Sequence, residues 1–481
     1  MQRFWTIFIS MFLALTSANG WAQSDSTQSA ESRQQTPSST GAVPAYGQNE
    51  VGISSENPPL TGLDQPSLEP RATTRSFLIP GIHVSESVDS NIQGNTGNSA
   101  VRGVTRALGT LFLQRLWGHY ETDLEYVGGV GFYTNRDRNA HLLQQLDVGQ
   151  RVMWRTGQMA IRDSFSYLPE GAFGYGAYGG TGSFSGGLGA GMGNQGGIAG
   201  TVLGGIFGAG QFGSLGQQPR ITNSAVLDVA QGLSPRSSIT AAGSYGLVHF
   251  VDDSAGFVNS REIAAQAGYN YQLTRKDHVA LAYGFQRFEY PNFPGSAFRT
   301  QIVNLLYGHR ISGRLDFLVG GGPQFTTINH PLLGQTQSVS GNGRVRLRYR
   351  FPRSTVGLSY ARHNTAGSGF FLGAATDIAE LSLDRPINRV WSMTTEVGYT
   401  RSSRIQPAIA AFSASHFDYV FAGGALHRPL GRQFQLFISY QFNDLRFDNT
   451  CTTLTGSCAG TSQRHVATVG LYWHPRPIRL D

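Results

Sequence analysis

The sequence predicts an all-β protein, a transmembrane antiparallel up-and-down β-barrel of about 18 strands, with 16 as the alternative count. Three observations predict this fold. Long segments alternate apolar and polar residues, an arginine-bearing turn recurs about every forty residues, and only 14% of the residues are charged. An ordinary soluble domain has about 25% charged residues, so the low charge fits a wall that faces lipid.

The alternation has the period of a β-strand. In residues 142 to 154 the even positions are mostly apolar, and the odd positions are mostly polar or glycine. Because successive side chains of a strand point to opposite faces, each such segment has one apolar and one polar face. The segments typically run for ten to fourteen residues, and a transmembrane strand needs about 9–11.

The recurrent turns divide the chain into predicted strands. The turns are Arg115–Gly118, Arg155–Gly157, Ser234–Arg236, Thr274–Asp277, Ser312–Arg314, Pro352–Ser354, Arg385–Arg389 and Arg428–Arg432. The strands are predicted at 79–91, 102–116, 119–134, 140–155, 158–168, 220–234, 236–251, 260–273, 278–290, 298–311, 314–328, 338–351, 354–364, 375–385, 389–401, 414–427, 432–445 and 464–474.

An even strand count places both ends of the barrel-forming chain on one side of the membrane, the periplasm. The turns on that side are short and the loops on the other side are longer, which is typical of bacterial outer-membrane barrels. Several aromatic residues lie close to the short turns, where an interfacial girdle is expected. They are Trp154, Tyr271, Tyr307, Phe351, Trp391 and Trp473.

The first 22 residues have the pattern of a signal peptide. Basic Arg3 precedes an apolar run from Phe4 to Thr16, and Gly20-Trp21-Ala22 offers a small-x-small cleavage site. Residues 23–77, with their many Ser, Gln, Thr and Pro residues, are expected to form a disordered periplasmic segment. Residues 78–474 then form the barrel, and residues 475–481 a short periplasmic tail.

Two cysteines, Cys451 and Cys458, lie in one predicted loop. An even pair this close in an exported protein predicts a local disulfide. There is no third cysteine in the chain, so a thiolate metal site is not expected.

Across residues 78 to 474, the alternation, the turn asymmetry and the aromatic positions resemble outer-membrane porin-like β-barrels of Gram-negative-type bacteria. The resemblance is architectural, because barrel families share little sequence. It implies outer-membrane localisation, contact with outer-membrane lipids and lipopolysaccharide, and insertion by the barrel-assembly machinery. Porins usually end on an aromatic residue that this machinery recognises, whereas Trp473 is followed here by a further tail. Trimers are common among porins, and a homotrimer stays open because no interface signal decides it.

Residues 171–216 form a glycine-rich insertion, with 20 glycines in 46 positions and no charged residue. This is the third extracellular loop of the predicted barrel. The third loop of porins commonly folds into the lumen, so the resemblance implies a constriction, and a flexible surface insertion is the alternative. The candidate constriction residues are Phe173, Tyr175, Tyr178 and Phe184.

The segment from 344 to 350 places an arginine at every second position, namely Arg344, Arg346, Arg348 and Arg350. An arginine on the lipid face costs about 2–4 kcal/mol near the midplane, so we expect all four to face the lumen. Fixed charges in a pore set its ion selectivity, which favours attraction of anions. The alternative is that these arginines pair with carboxylates of adjacent strands, for which Asp316, Glu380 and Asp384 are available.

The chain contains no G-x-S-x-G, H-E-x-x-H or Walker motif and no clustered Cys/His set. We therefore expect no enzyme activity, no catalytic residue, no metal site, no cofactor and no nucleic-acid partner. The function best predicted is a porin-like channel for passive diffusion of small hydrophilic solutes, anions among them. A conduit for an exported polysaccharide and a surface-exposed structural or adhesin barrel are the alternatives.

Overall fold

The computed structural model describes residues 76–91, 101–134, 141–168, 219–251, 257–312, 314–331, 334–406, 414–448 and 460–480. All of them lie in the second of two units of the chain, Val43–Asp481, whereas Met1–Ala42 lies outside the described residues. Outside them too are the predicted signal peptide, residues 23–75, the glycine-rich insertion and the Cys451–Cys458 pair.

The structure contains nineteen strands in the described residues. They are β1 Phe77–Asp89, β2 Arg102–Trp117, β3 Tyr120–Tyr133, β4 His141–Trp154, β5 Gly157–Leu168, β6 Arg220–Ser234, β7 Ser237–Phe250, β8 Ser260–Gln272, β9 Asp277–Glu289, β10 Ala297–Ser312, β11 Leu315–His330, β12 Gly334–Arg350, β13 Thr355–Thr365, β14 Ala374–Pro386, β15 Ser392–Arg404, β16 His416–Pro429, β17 Phe434–Phe447, β18 Thr461–Trp473 and β19 Ile478–Arg479.

Each strand from β1 to β18 pairs antiparallel with the next, and β1 also pairs with β18. The sheet is therefore closed, and the predicted barrel of 18 strands is confirmed. The two-residue strand β19 lies in the C-terminal tail and pairs with Phe77 and Leu78 at the start of β1. No helix in this part of the chain is long and apolar enough to cross a membrane.

The two faces of the wall differ as the alternation predicts. On β9, Leu281 and Tyr283 are 55% and 48% exposed, whereas Ala280 and Ala282 are 3% and 5% exposed. Exposed apolar side chains of this kind recur on the outer face around the barrel. A closed barrel with an outward apolar band is the structure of outer-membrane proteins, so the protein is a porin-like β-barrel of the bacterial outer membrane.

The seam between the first and last strands is closed by polar contacts as well as by the ladder. Ile82 to Asp89 pair with Trp473 to Val466. At the extracellular end of the seam, Arg464 Nε donates to Asp89 Oδ2 at 2.8 Å, and both side chains are almost fully buried. This charge-assisted contact links β1 to β18, the first and the last strand of the barrel.

The observed strand ends differ from the predicted ends by at most four residues, and the largest difference is at β12. This strand begins at Gly334 because residues 334–342 pair with β11 alone, and its pairing with β13 stops at Gly343↔Arg362. Above that point β13 leaves β12. Asn364 Nδ2 instead donates to Thr300 Oγ1 on β10 and to Thr326 Oγ1 on β11, at 3.1 and 2.9 Å.

Candidate functional site: a lumen crossed by a loop and lined by charged walls

The connection between β13 and β14, residues 366–373, folds into the lumen at the extracellular end, and we call it the mouth loop. Phe370 at its centre is 0% exposed. Its ring centroid lies 5.8 Å from that of Phe257, 5.6 Å from that of Phe417 and 5.2 Å from that of Phe447. The mouth loop is therefore packed on all sides, in contrast with an ordinary surface loop.

These contacts join opposite walls of the barrel. Phe257 follows β7 and stacks on Phe250 of that strand at 4.9 Å, while Phe417 belongs to β16. The strands β7 and β16 are nine places apart in a closed ring of eighteen. Since Phe250 and Phe417 are both buried inward-facing residues, the aromatic contacts through Phe370 cross the lumen from one side to the other.

Backbone hydrogen bonds hold the mouth loop to two other extracellular connections. The Gly369 carbonyl accepts from Val258 N–H at 2.9 Å, and the Gly373 carbonyl accepts from Ile405 N–H at 3.1 Å. Gly369 has φ +82°, and a Cβ there would lie 2.6 Å from Cζ of Phe250. Only glycine fits this approach of backbone to aromatic ring.

A second apolar cluster fixes the other side of the mouth loop. Leu372 packs with Phe288 and Phe298, which come from the facing ends of β9 and β10. Tyr290 joins this cluster and donates its hydroxyl proton to the Ala366 carbonyl at 3.3 Å. Burial raises the pKa of Tyr290, so its hydroxyl remains a donor at ordinary pH.

The four predicted arginines of β12 lie on the inner face. Leu347 lies opposite Leu358, an outward residue that is 47% exposed. Arg344, one of the alternate positions, lies opposite Ala361, which is 2% exposed. The inward direction of the arginines follows, because alternate residues of a strand point to opposite faces.

Some carboxylates lie near this row of arginines, but they are fewer than the arginines. Asp316 on β11 lies opposite Arg348, with 3.9 Å between Nη2 and Oδ2. It also pairs with Arg310, with 3.4 Å between Nε and Oδ1. Glu380 lies in the same cross-strand row as Arg346, two strands away. On β10 to β12 the inner face thus carries five arginines and one aspartate.

The opposite wall carries the reverse charge, and we call Glu121, Asp123, Glu125 and Asp147 the acidic wall. These residues lie on the inner face of β3 and β4, where Arg151 contacts Glu121 at 3.3 Å. The strands β3 and β12 are nine places apart in the ring. Asp147 lies seven residues before the end of β4, and Arg344 six residues before the end of β12. Both charged rows therefore lie between the middle of the wall and its periplasmic turns.

The structure thus places the four predicted arginines on the inner face of the barrel. The inward loop that it describes is residues 366–373, whereas the sequence predicted a constriction in residues 171–216. Phe173, Tyr175, Tyr178 and Phe184 lie outside the described residues, and their proposed role in a constriction stays a prediction. The mouth loop was not predicted from the sequence. Its signal was an apolar triplet, Phe370-Phe371-Leu372, between glycines in a connection expected to face water, which is unusual for an exposed loop.

No family model and no curated protein sequence matches the chain. Solved structures with a similar fold include Pseudomonas aeruginosa OccK2 (OpdF), with TM-score 0.42 and 9% identity over 82% of this chain and 98% of that chain. The outer-membrane protein OpdK of the same species gives TM-score 0.41 and 10% identity over 83% and 99% of the two chains. The FrpB iron transporter of Neisseria meningitidis (F5-1 variant) gives 0.37 and 8% over 82% of each. At these scores the similarity identifies neither a family nor a substrate.

Proposed function

We propose that this protein is a channel for passive diffusion of small hydrophilic solutes, and that its β12 arginines attract anionic groups to the periplasmic half of the lumen. One observation carries the proposal. Four arginines stand at alternate positions of one strand on the inner face of a closed barrel, with fewer carboxylates beside them. Guanidinium groups remain charged under all physiological conditions, so such a wall is a fixed anion-attracting surface.

The acidic wall adds a second element to this selectivity. Negative charges on β3 and β4 stand across the lumen from positive charges on β12, and the resulting field runs across the pore. Within a water-filled pore such fixed charges act strongly on solutes at close range, because the Debye length is about 10 Å at 0.1 M salt. We infer that anionic groups follow β12, while cationic groups of the same solute turn towards β3 and β4.

We infer that the mouth loop closes the extracellular end of this channel at rest. Passage requires the aromatic contacts between the walls to separate. Because the loop is anchored by apolar packing, by the Tyr290 hydroxyl and by one backbone hydrogen bond to each of two connections, its displacement does not break any pairing between the described strands. An exported polysaccharide would use the same arginines, and a purely adhesive barrel would conduct no ions.

The test is conductance of the full chain, refolded and inserted in a planar bilayer. We expect discrete openings from a mostly closed baseline and, in a salt gradient, a reversal potential on the anion-selective side. The double variant Arg346→Gln/Arg348→Gln should move the reversal potential towards cation preference. Cation selectivity that these substitutions leave unchanged would contradict the role of the arginines.

The matched control is Arg362→Gln. Arg362 is on the neighbouring strand β13 but on the outer face, where it pairs with Asp377. This substitution removes one arginine charge outside the lumen and should leave the reversal potential as in the unsubstituted protein. A trace that stays closed under every voltage and in every variant would remove the channel proposal in favour of an adhesive or structural barrel.

A further inference from the structure

An arginine cluster lies on the outer face of the barrel at the extracellular ends of β8, β9 and β10. Arg287 on β9 lies directly opposite Arg299 on β10, and Arg261 on β8 lies opposite Glu289 of β9 in the next cross-strand row. All three arginines are exposed. Glu289 is the nearby carboxylate, and it pairs with Arg287 at 2.6 Å. Within the described residues, Arg261 and Arg299 make no ion pair.

The cluster stands where the outer apolar band ends. On β9 the outward residues from Val279 to Phe285 are apolar or aromatic, and Arg287 is the next one. On β10 the outward residues Tyr307, Leu305 and Val303 are apolar or aromatic, and Gln301 separates them from Arg299 towards the extracellular end. Eight residues of strand at a tilt of about 40° span about 20 Å of the barrel axis, close to the band of about 25 Å in such barrels. The arginines therefore lie at the headgroup level of the outer leaflet.

A second charged row on the outer face shows what a self-neutralised arrangement looks like. Across β13 to β17 the residues directly opposite each other alternate in sign. They are Arg362, Asp377, Arg401, Asp418 and Arg446 in that order. In this row each arginine has an aspartate on an adjacent strand, and none faces another arginine.

Like charges directly opposite each other in a sheet are unfavourable. Two carboxylates can relieve such a contact by sharing a proton, but arginines cannot because they do not lose theirs. Glu289 offsets one charge of the three arginines through its contact with Arg287, and an anion from outside the chain would offset the positive charge that remains between Arg287 and Arg299. Guanidinium groups present paired N–H donors that match phosphate oxygens, which makes phosphate the best-fitting anion.

We propose that Arg261, Arg287 and Arg299 form a binding site for the phosphate of a phosphorylated glycolipid of the outer leaflet, of the lipid A type. The lipid is favoured over free phosphate because exposed apolar side chains lie on the periplasmic side of the arginines, within the outer apolar band. Tyr283, Val303 and Leu305 are 48%, 37% and 64% exposed there, and acyl chains of the same lipid can cover them. The headgroup and chains would thus be bound by one continuous surface.

The experiment is native mass spectrometry of the refolded full chain in detergent, with bis-phosphorylated lipid A and its dephosphorylated form as the two probes. The protein should retain the phosphorylated form at a concentration about tenfold lower, the preference expected for charge-assisted contacts to one anionic group. In Arg287→Gln/Arg299→Gln this preference should disappear. In the control Arg362→Gln/Arg401→Gln, which changes the self-neutralised row, it should persist.

Equal retention of the two lipids by the unsubstituted protein would overturn the proposal, and so would an unchanged preference in Arg287→Gln/Arg299→Gln. Millimolar inorganic phosphate is the third probe. Displacement of lipid A by inorganic phosphate alone would show a free-phosphate site and also overturn the lipid assignment. Heat-modifiable migration in gel electrophoresis verifies that each variant contains a folded barrel.

The same variants separate this inference from the proposed function. The arginine cluster faces away from the lumen, so Arg287→Gln/Arg299→Gln should leave single-channel conductance unchanged. The conductance measurement and the lipid-binding measurement can therefore fail independently of each other. Arg299→Lys gives a finer readout, because it keeps the charge and removes the paired donors. Its preference for phosphorylated lipid should fall between those of the unsubstituted protein and the double variant.

Discussion

The extracellular half of the lumen is lined by aromatic residues that a loop connects, whereas the periplasmic half is lined by charged residues of the strands. In the extracellular half, Phe250, Phe370 and Phe417 connect opposite walls through aromatic contacts, and the central contact is carried by a loop. In the periplasmic half, Arg346 and Glu121 belong to strands and are held at a fixed register by ladder hydrogen bonds on both sides.

This difference separates two tasks. Apolar packing on a loop can be undone as a unit, because no ladder has to break, and the loop is therefore the part able to open and close. Charges on paired strands cannot move far, so they keep fixed positions in the lumen and determine its ion selectivity. We expect variants of the extracellular half to change how often current flows. Variants of the periplasmic half should change which ions carry it.

The largest effect is expected from Phe370→Ala/Phe371→Ala. Both rings are buried in the mouth loop, and removing a buried phenylalanine costs about 3–5 kcal/mol of packing. The loop should then leave the lumen, and mean conductance in a planar bilayer should rise several-fold while the reversal potential remains the same.

The control for this prediction is Phe351→Ala, which removes an exposed phenylalanine from a periplasmic turn. It should leave conductance as it is. If both variants conduct alike, or if the mouth-loop variant shifts the reversal potential without raising conductance, the division between an opening half and a selective half is wrong.

A smaller effect is expected from Gly369→Ala, with Gly431→Ala for comparison. Both glycines have positive φ, +82° and +88°, but a Cβ at Gly431 would meet nothing within 4 Å, whereas one at Gly369 would meet Phe250. Gly431→Ala should therefore show the backbone cost alone, about 1–2 kcal/mol. Gly369→Ala should show this cost and raise the open fraction, because the ring of Phe250 must move.

The measurements are urea unfolding in lipid vesicles, followed by tryptophan fluorescence, and the open fraction in single-channel records. Equal destabilisation with equal open fractions would mean that the contact between Gly369 and Phe250 does not hold the loop closed. Loss of folding in both variants would point to backbone strain in place of the clash.

The strands and the closure could be predicted from the sequence because the information is local. The alternation around Leu281 or Val148 reports one face at a time, and the arginine-bearing turns mark where a strand ends. The inward direction of Arg346 followed from the cost of charge in lipid alone. The early start of β12 was not predictable, because residues 334–342 pair with one neighbour only.

The two features that decide the lumen are not local. Nothing in the segment from Glu121 to Glu125 reveals that it faces Arg346, because that depends on the number of strands in the ring. Phe370 is similar. Its partners Phe257 and Phe417 are distant in sequence and come together only when the barrel closes. Glycine content drew attention to residues 171–216, whereas the described inward loop is short and marked by its apolar residues.

The smallest effect is expected from the acidic wall. Glu121→Gln/Asp123→Asn removes two negative charges opposite the arginines, so the reversal potential in a salt gradient should move further towards anion preference. The shift should be smaller than that of Arg346→Gln/Arg348→Gln and opposite in sign, because Arg151 already offsets part of the acidic wall through its contact with Glu121. Glu86→Gln on the outer face of β1 should have no effect. Raising the salt to 1 M shortens the Debye length to about 3 Å and should abolish both shifts, whereas a shift that persists at 1 M would mean that the substitutions change the shape of the pore and not its field.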